Sequence, residues 1–476
     1  SRTRSDTVNI SRRAALMGSG AGLAVAGAGV GAYEVATYER PEPASPPMMD
    51  AHGHLIWRNW SGIRHSYPAE RAAPSSDEEL AKILRESPAP IRAVGAGHSF
   101  MPLVPTDGTL LTLDNMAGLV SIDGDEVTVR AGTRLGDLGP ALASHGRAMA
   151  NLPDINKQSL GGALATATHG TGKHLMALHG TVTALRLVTP SGRVIDCDAA
   201  KDKDLFDAAR VSLGTLGIIS HVKLKTTANR RLHRRVWLEP FEETLAQAEA
   251  RWNAHRNYEF YAVPFTGLAA NITHDETDES PRPRGPETDS QFLDALKVLR
   301  NLFRFSTPVR KRVAKFVLTA AEPKAEEAVD EGWKLLSTER PIRFNEMEFH
   351  LPADAQLAAL REVVAAIEAN RPDVFFPIEL RRIAPDDAWL SPFQGGERGS
   401  IAVHCYYRDE YQFLFTLIEP ILRRHGGRPH WGKLNSLKGQ DFAALYPRWK
   451  DFCDLRRQLD PEGRMLNPYL KGIFGA

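Results

Sequence analysis

Between Asn151 and Gly172 the chain sets Gly161, Gly162, Gly170 and Gly172 among Ser159, Ala163, Ala165, Thr166, Ala167, Thr168 and Thr171. Few structural roles need so many small residues in one stretch. Hydroxyls of Ser and Thr beside glycine N–H groups form a surface that a pyrophosphate and the edge of a ring system can approach closely. The alternative is a tight packing corner, which asks for the same small residues.

A second glycine loop lies upstream. Val94, Gly95, Ala96, Gly97, His98, Ser99 and Phe100 follow directly on an apolar segment at 90–93. A strand that runs into two glycines leaves backbone N–H groups open to a phosphate or a ring oxygen. The third glycine of a dinucleotide fingerprint is missing, so a Rossmann reading is weak. In the bland reading His98 caps a turn. A third segment, Ser212 to Ile219, is by itself only an apolar strand and turn.

The chain has 476 residues, 42% of them hydrophobic, enough for two or three packed domains. Fifty-nine Lys and Arg stand against 58 Asp and Glu, so no basic excess points to nucleic acid. Cys197, Cys405 and Cys453 form no C-x-x-C pair, and neither a disulfide framework nor a metal site is indicated.

Residues 1–49 read as a signal and linker outside the fold. Arg12 and Arg13, in the run 11–17, resemble a twin-arginine export signal, and an Ala/Gly/Val-rich stretch follows at 14–32. That stretch is too glycine-rich to make a convincing spanning helix. Export of a folded chain to the envelope or extracellular space is expected. An uncleaved membrane anchor is the alternative, because no A-x-A site ends the apolar run. The Pro-rich segment 41–47 reads as a linker.

Residues 50–226 read as an α+β domain. Strands are expected at 110–114, 126–130 and 183–189, with a helix at 135–145 closed by Gly146. Residues 227–428 form a second region. In it 273–289 is polar and reads as a mobile loop, and Arg310, Lys311, Arg312 and Lys315 as a solvated helix face. Strands are expected at 344–350, 374–382 and 400–408, with helices at 354–370 and 411–425. This predicts a small sheet with helices on one face and the other face free to cover something. In the segment 429–476, Phe442, Tyr446, Trp449 and Phe452 read as packing.

Strand alternation puts Glu379 and Arg381 on one face, and His404 and Tyr406 likewise on one face. From spacing alone a surface ion pair explains these residues equally well. The run Arg428 to Lys433 contains His430, Trp431, Gly432 and Lys433 in sequence.

Together these segments resemble the vanillyl-alcohol oxidase superfamily, and within it the sugar-lactone and alditol oxidases. The two glycine loops resemble its flavin-binding elements, His430 to Lys433 its H-W-G-K signature, and 459–470 its C-terminal end. Trp57 to Gly62 also fits, so the resemblance covers about residues 55–472. It implies an α+β, two-domain FAD-binding (PCMH-type) fold with an α+β substrate cap at 227–428 and a C-terminal segment returning to the flavin. It implies FAD contacts from Gly95, Ala96, Gly97, His98, Ser99, Ser159, Gly162, Thr166, Thr168, His169 and the Ile219 backbone, with covalent attachment through His98. Ala167 stands where the family usually has glycine. The implied reaction is hydride transfer from a hydroxyl of a sugar-1,4-lactone or related polyol to flavin N5. Lys433 and Arg381 would hold the reacting hydroxyl and the reduced flavin, and Glu379 and His404 the other hydroxyls. Lys433 and His404 are both candidates for the base. Pro153 stands where related oxidases carry Gly or Pro, which implies oxygen as acceptor. The alternatives are a dehydrogenase that passes electrons to a cytochrome or quinone, and a non-catalytic carbohydrate-binding flavoprotein.

Overall fold

β-Branched runs separated by glycine turns build the first half of the chain. The computed structural model describes residues 34–285, 289–320, 325–339 and 342–475. In it the first half carries an antiparallel five-stranded sheet, ordered Val194–Asp198, Val182–Val188, Ile218–Lys225, Glu126–Arg130 and Leu119–Asp123. Beside it a parallel three-stranded sheet runs Glu70–Ala72, Thr109–Thr112, Ile91–Val94. The helix Leu135–Ala143 forms as expected, and Gly146 follows at φ +69°.

Arg92 ties this half together. Its buried guanidinium donates to the carbonyls of Leu103 (2.7 Å), Leu213 (2.6 Å), Gly214 (3.1 Å) and Met465 (2.6 Å). Three segments far apart in sequence thus share one cation, which lies at the start of the first glycine loop.

The second half is larger than the sequence predicts. Its sheet has eight strands, ordered Glu326–Glu331, Arg231–Pro240, Leu268–Thr277, Asn257–Val263, Ile378–Ile383, Arg398–Tyr406, Phe344–Pro352 and Arg428–Pro429. The first four are the ones sequence reading missed. In Arg231–Pro240 and Leu268–Thr277 Arg, His, Asn, Thr and Asp interrupt the apolar alternation, so the period-2 signal is hidden there. Thr273 to Thr277, expected in a mobile loop, pair with Arg231 to Arg235. Residues 286–288 of that stretch lie outside the described residues. The helices Phe241–Ala254 and Gln356–Asn370 pack on the sheet. The strand expected at 374–382 begins only at Ile378, and the helix expected at 411–425 splits into a π turn, Leu414–Ile418, and Glu419–Arg424.

Two further expectations are corrected. Arg310 is not on a solvated face: it is buried and donates to the carbonyls of Pro372 (2.7 Å) and Val374 (3.0 Å). Nor do the linker residues all stand outside the fold. Asn301 Nδ2 donates to the carbonyls of Ala36 and Tyr38, both at 3.0 Å, and Lys297 pairs with Glu39 at 2.6 Å. Downstream, Arg58 and Tyr67 hold the carbonyls of Pro46 and Pro47. Arg12 and Arg13 lie outside the described residues.

The C-terminal aromatics pack as expected. Trp431 stacks on Phe442 (4.6 Å) and Tyr446 (5.3 Å), and Trp449 on Phe474 (5.2 Å). All three cysteines are buried and unpaired. Among the described residues no helix is long and apolar enough to cross a membrane.

Candidate active site

The register of the large sheet composes one face of the site. Directly opposed residues of neighbouring strands point the same way. Glu259 pairs with Arg381 and Tyr261 with Glu379. Glu379 in turn faces Ala402, and Ala402 faces Glu348. His404 faces Glu346. One surface therefore carries Glu259, Tyr261, Glu379, Arg381, His404, Glu346 and Glu348, with small Ala402 between two of the acids.

This surface and the two glycine loops line one open cleft. Gly95, Ala96, Gly97, His98, Ser99, Ser159, Gly162, Thr166, Thr168, His169 and Ile219 all line it, as do Glu379, Arg381, His404, Lys433 and Pro153. Tyr406 does not: its hydroxyl reaches Glu39 at 3.4 Å, away from the cleft. Its strand carries it past the rim to the linker side.

The glycines bring two backbone loops into contact. A Cβ at Gly95 would sit 2.4 Å from Ser159 Oγ, so only glycine lets the loops meet there. Ser159 caps the helix Leu160–Ala165, accepting from Gly162 N at 3.4 Å. Ala167 adopts φ +59°, the left-handed region in which a Cβ is penalised by about 1 kcal/mol. That backbone turn accounts for the glycine usual at this place in the family. Pro153 is buried, and its carbonyl accepts from Ser337 Oγ of the cap at 2.6 Å.

His98 stacks on Trp60 with ring centres 4.9 Å apart. Burial, helped by the nearby Lys433 cation, pushes its pKa down to about 4, so the ring is neutral at ordinary pH. The C-terminal segment is stitched to this loop: Phe100 N donates to the carbonyl of Gly432 at 2.7 Å, which sets Lys433 beside it.

Sequence reading missed Glu346 and Glu348, which organise the charges. Lys433 pairs with Glu346 and stands 3.8 Å from Glu348. Glu348 also takes His169 Nε2 at 2.9 Å and Arg381 Nη2 at 3.1 Å. Burial alone would raise the Glu348 carboxyl, but Arg381, His169 and Lys433 outweigh it and hold the group well below the usual range. The signal was present: acids at alternate positions of an otherwise apolar strand are misplaced unless something charged faces them.

Glu379 behaves oppositely. Burial raises its carboxyl well above the usual range against the opposing charge of Arg381, and the nearby acids Asp154 and Glu259 add to the rise. Tyr261 Oη lies 2.8 Å from Glu379 and 3.1 Å from Asp154. The Tyr261 hydroxyl has one proton, which is shared between the Glu379 and Asp154 carboxyls.

His169, Glu348 and His430 bring possible ligand atoms within 4.8 Å of one another. Arg381 and Lys433 already neutralise Glu348, so hydrogen bonding accounts for the cluster. The cleft fits FAD: the loops meet only as glycines, hydroxyls and backbone line one wall, and Lys433 and Arg381 supply positive charge for an electron-rich ring edge.

Comparison with known proteins decides the family. Residues 222–473 match the model of the family described as D-arabinono-1,4-lactone oxidase. Residues 68–198 match an FAD binding domain. The chain belongs to the D-arabinono-1,4-lactone oxidase family. Among its relatives, L-gulono-1,4-lactone dehydrogenase of Mycobacterium tuberculosis is 33% identical over 88% of this chain and 99% of its own. L-gulonolactone oxidase of Mus musculus is 30% identical, over 90% of this chain and 100% of its own. Alditol oxidase of a Streptomyces species is 28% identical, over 87% of this chain and 98% of its own. Cholesterol oxidase of Brevibacterium sterolicum shares the fold, with TM-score 0.71 at 16% identity over 92% of this chain and 100% of that one. The protein is an FAD-dependent oxidoreductase acting on CH–OH groups, with the two-domain PCMH-type fold.

The buried imidazoles make stability pH-dependent. His98 is lowered to about 4 and His274 to about 3, and His350 and His430 also lie well below the ordinary value, all chiefly through burial. The unfolded chain binds protons at these groups near pH 6.5 while the folded chain does not, so stability falls as pH drops from 6.5 towards 4. The raised carboxyls of Glu379, Asp409 and Glu419 act in the opposite sense, while the lowered carboxyls of Glu348, Asp373 and Asp386 act with the histidines. A series of thermal melts from pH 7.5 to 4.5 is expected to show the midpoint falling below pH 6.5; a flat profile would contradict the neutral buried rings.

Proposed function

We propose that the enzyme oxidises one hydroxyl of a sugar-1,4-lactone or a related polyol. The observation that carries this reading is that Glu379, Arg381, His404 and Lys433 line the same cleft as the glycine loops. When bound, FAD supplies the hydride acceptor. Gly95, Ala96, Gly97, Ser99, Ser159, Gly162, Thr166, Thr168, His169 and Ile219 would hold it.

Lys433 and Arg381 orient the reacting hydroxyl and favour negative charge on its oxygen as the proton leaves. His404 Nε2 stands 3.7 Å from Glu346, the same carboxylate that pairs with Lys433. Glu346 thus lies behind both candidate bases, and positive charge arriving on His404 is stabilised there. Glu379, on the same wall, is placed to bind a further substrate hydroxyl. A lactone ring, rich in hydroxyls and neutral overall, suits a wall whose charges are already balanced among themselves.

His98 is proposed as the covalent attachment point. Its ring lines the cleft, is held flat against Trp60 and is neutral, which is the nucleophilic form. Oxygen is the acceptor in this reading, on the argument that Pro153 has no amide hydrogen and that its fixed φ, with a carbonyl tied to Ser337, holds the backbone back from the flavin edge. The dehydrogenase among the relatives favours a second reading, in which a cytochrome or quinone takes the electrons. Export through the twin-arginine route is proposed on Arg12 and Arg13 ahead of the apolar run.

Four tests follow from these assignments. Arg381→Met and Lys433→Met are each expected to lower kcat/KM about 10²-fold or more at unchanged flavin content; full activity in either variant refutes the role. Acid-precipitated wild-type protein is expected to keep fluorescent flavin on the polypeptide in a denaturing gel, and His98→Ala to release it; flavin found wholly in the wild-type supernatant disproves attachment. Stopped-flow reoxidation by dissolved oxygen is expected to be fast, and to slow in Pro153→Ala while substrate-driven bleaching stays nearly unchanged. Reoxidation no faster than that of free reduced flavin, with rapid cytochrome c reduction, selects the dehydrogenase reading. Replacing Arg12 and Arg13 together by Lys is expected to retain the flavinylated enzyme in the cytoplasm; unchanged export points to another route.

A further inference from the structure

A histidine that reacts through one ring nitrogen is ordinarily oriented by a hydrogen bond at the other. His98 is not held that way. Among the described residues no hydrogen bond reaches either of its ring nitrogens. Contact with the flat face of the ring takes that place: the Trp60 indole lies against it, with 4.9 Å between ring centres and 29° between planes. A face contact of this kind leaves the edge of the imidazole, where both nitrogens lie, unobstructed.

The indole is itself fixed to the loop it covers. Trp60 N donates to the carbonyl of Gly97, just before His98, at 2.8 Å. Its neighbours hold the residues just after. Asn59 Nδ2 donates to the carbonyl of Ser99 at 3.0 Å, and Arg64 Nε to that of Phe100 at 2.8 Å. Buried Asn59 also closes the turn that carries Trp60, since its Oδ1 accepts from Gly62 N at 3.1 Å and from Arg64 N at 2.9 Å. The backbone on both sides of His98 is therefore pinned to one turn, and that turn bears the ring stacked on the imidazole.

The cap supports the indole independently. Phe344 meets Trp60 edge to face at 5.0 Å between ring centres. Phe344 stands two residues before Glu346 on its strand, so it ends the same sheet face that carries Glu346 and Glu348. On its other side it meets the ring of His404, again edge to face, at 4.8 Å. Four rings, His98, Trp60, Phe344 and His404, thus run from the first glycine loop to the cap, and all four line the cleft.

We propose that Trp60 is a positioning residue for flavin attachment: its indole face holds the His98 imidazole so that one ring nitrogen is presented to the 8α-methyl carbon of FAD, and Phe344 holds the indole from behind. This rests on covalent attachment at His98 as read above. In that step a C–N bond forms. The methyl carbon and the imidazole N–H each give up one proton, and two electrons pass to the isoalloxazine. Molecular oxygen then takes up two electrons and two protons as hydrogen peroxide. An imidazole free to swing about its Cβ–Cγ bond meets the carbon in few of its orientations, so the stacked ring gains rate through alignment alone.

The test follows the full-length enzyme, made in riboflavin-starved cells, as it is incubated with FAD in air. Two quantities are measured over time: total bound flavin, and the fraction that stays on the polypeptide after acid precipitation. Trp60→Leu is expected to bind as much FAD as the wild type and to melt at the same temperature, yet to attach the flavin about tenfold more slowly. Trp60→Phe, which restores a stacking face, is expected to recover the rate. Wild-type attachment kinetics in Trp60→Leu overturn the proposal. So does a Trp60→Phe variant as slow as Trp60→Leu, because stacking would then not be the cause. If Trp60→Leu loses FAD or its fold, the decision passes to Phe344→Leu, which leaves the indole in place but unsupported: slowed attachment there supports the proposal, and the wild-type rate overturns it. Flavin found wholly in the wild-type supernatant defeats attachment itself and this proposal with it, whereas retained wild-type flavin beside an unaffected Trp60→Leu defeats the role of Trp60 alone.

Discussion

A carboxylate shut away from water must be matched by positive charge within a few ångströms, and Glu348 meets that requirement with groups from three separate parts of the chain. His169 comes from the second glycine loop, Arg381 from a neighbouring cap strand and Lys433 from the C-terminal segment. Removing any one leaves a buried charge underneutralised, at a cost of about 3–5 kcal/mol. The two domains are thereby locked at the angle that defines the cleft. The same cluster that fixes the geometry also lines the cleft.

Around that anchor the acids are deliberately unequal. The cations around Glu348 hold its carboxyl well below the usual range, while burial, with Asp154 and Glu259, holds that of Glu379 well above it. Both carboxyls lie on one sheet face, opposite Ala402. Their difference arises from neighbours alone, since both are fully buried.

The flavin half was legible because its demands fall on particular positions. Gly95 must be glycine where Ser159 presses on it, and His98, Ser159, Thr166 and Thr168 follow at fixed intervals, so a string of residues reveals the shape. In the cap, pairs such as Glu379 and Arg381 were legible through strand alternation. What could not be read was the register between strands: nothing local tells that Glu346 lies opposite His404, or that Tyr261 reaches Asp154 more than a hundred residues away. The edge half of the cap sheet was hidden for another reason. Its strands are polar on alternate positions in a way that a solvated loop also is. Tyr406 shows the limit of periodicity: it alternates correctly with His404 yet leaves the site, because a strand longer than the cleft carries its last residue past the rim.

The return of the C-terminal segment has a consequence for synthesis. Arg428 and Pro429 add the last strand to the cap sheet, Lys433 completes the charge cluster, and the carbonyl of Met465 completes the shell around Arg92. These closing residues follow every other part of the cleft in the order of synthesis. Until they emerge Glu348 lacks one cation and Arg92 one acceptor. Closure of the cleft is thus tied to synthesis of the segment after Arg428, and a polypeptide stopped before it keeps both groups short of these partners.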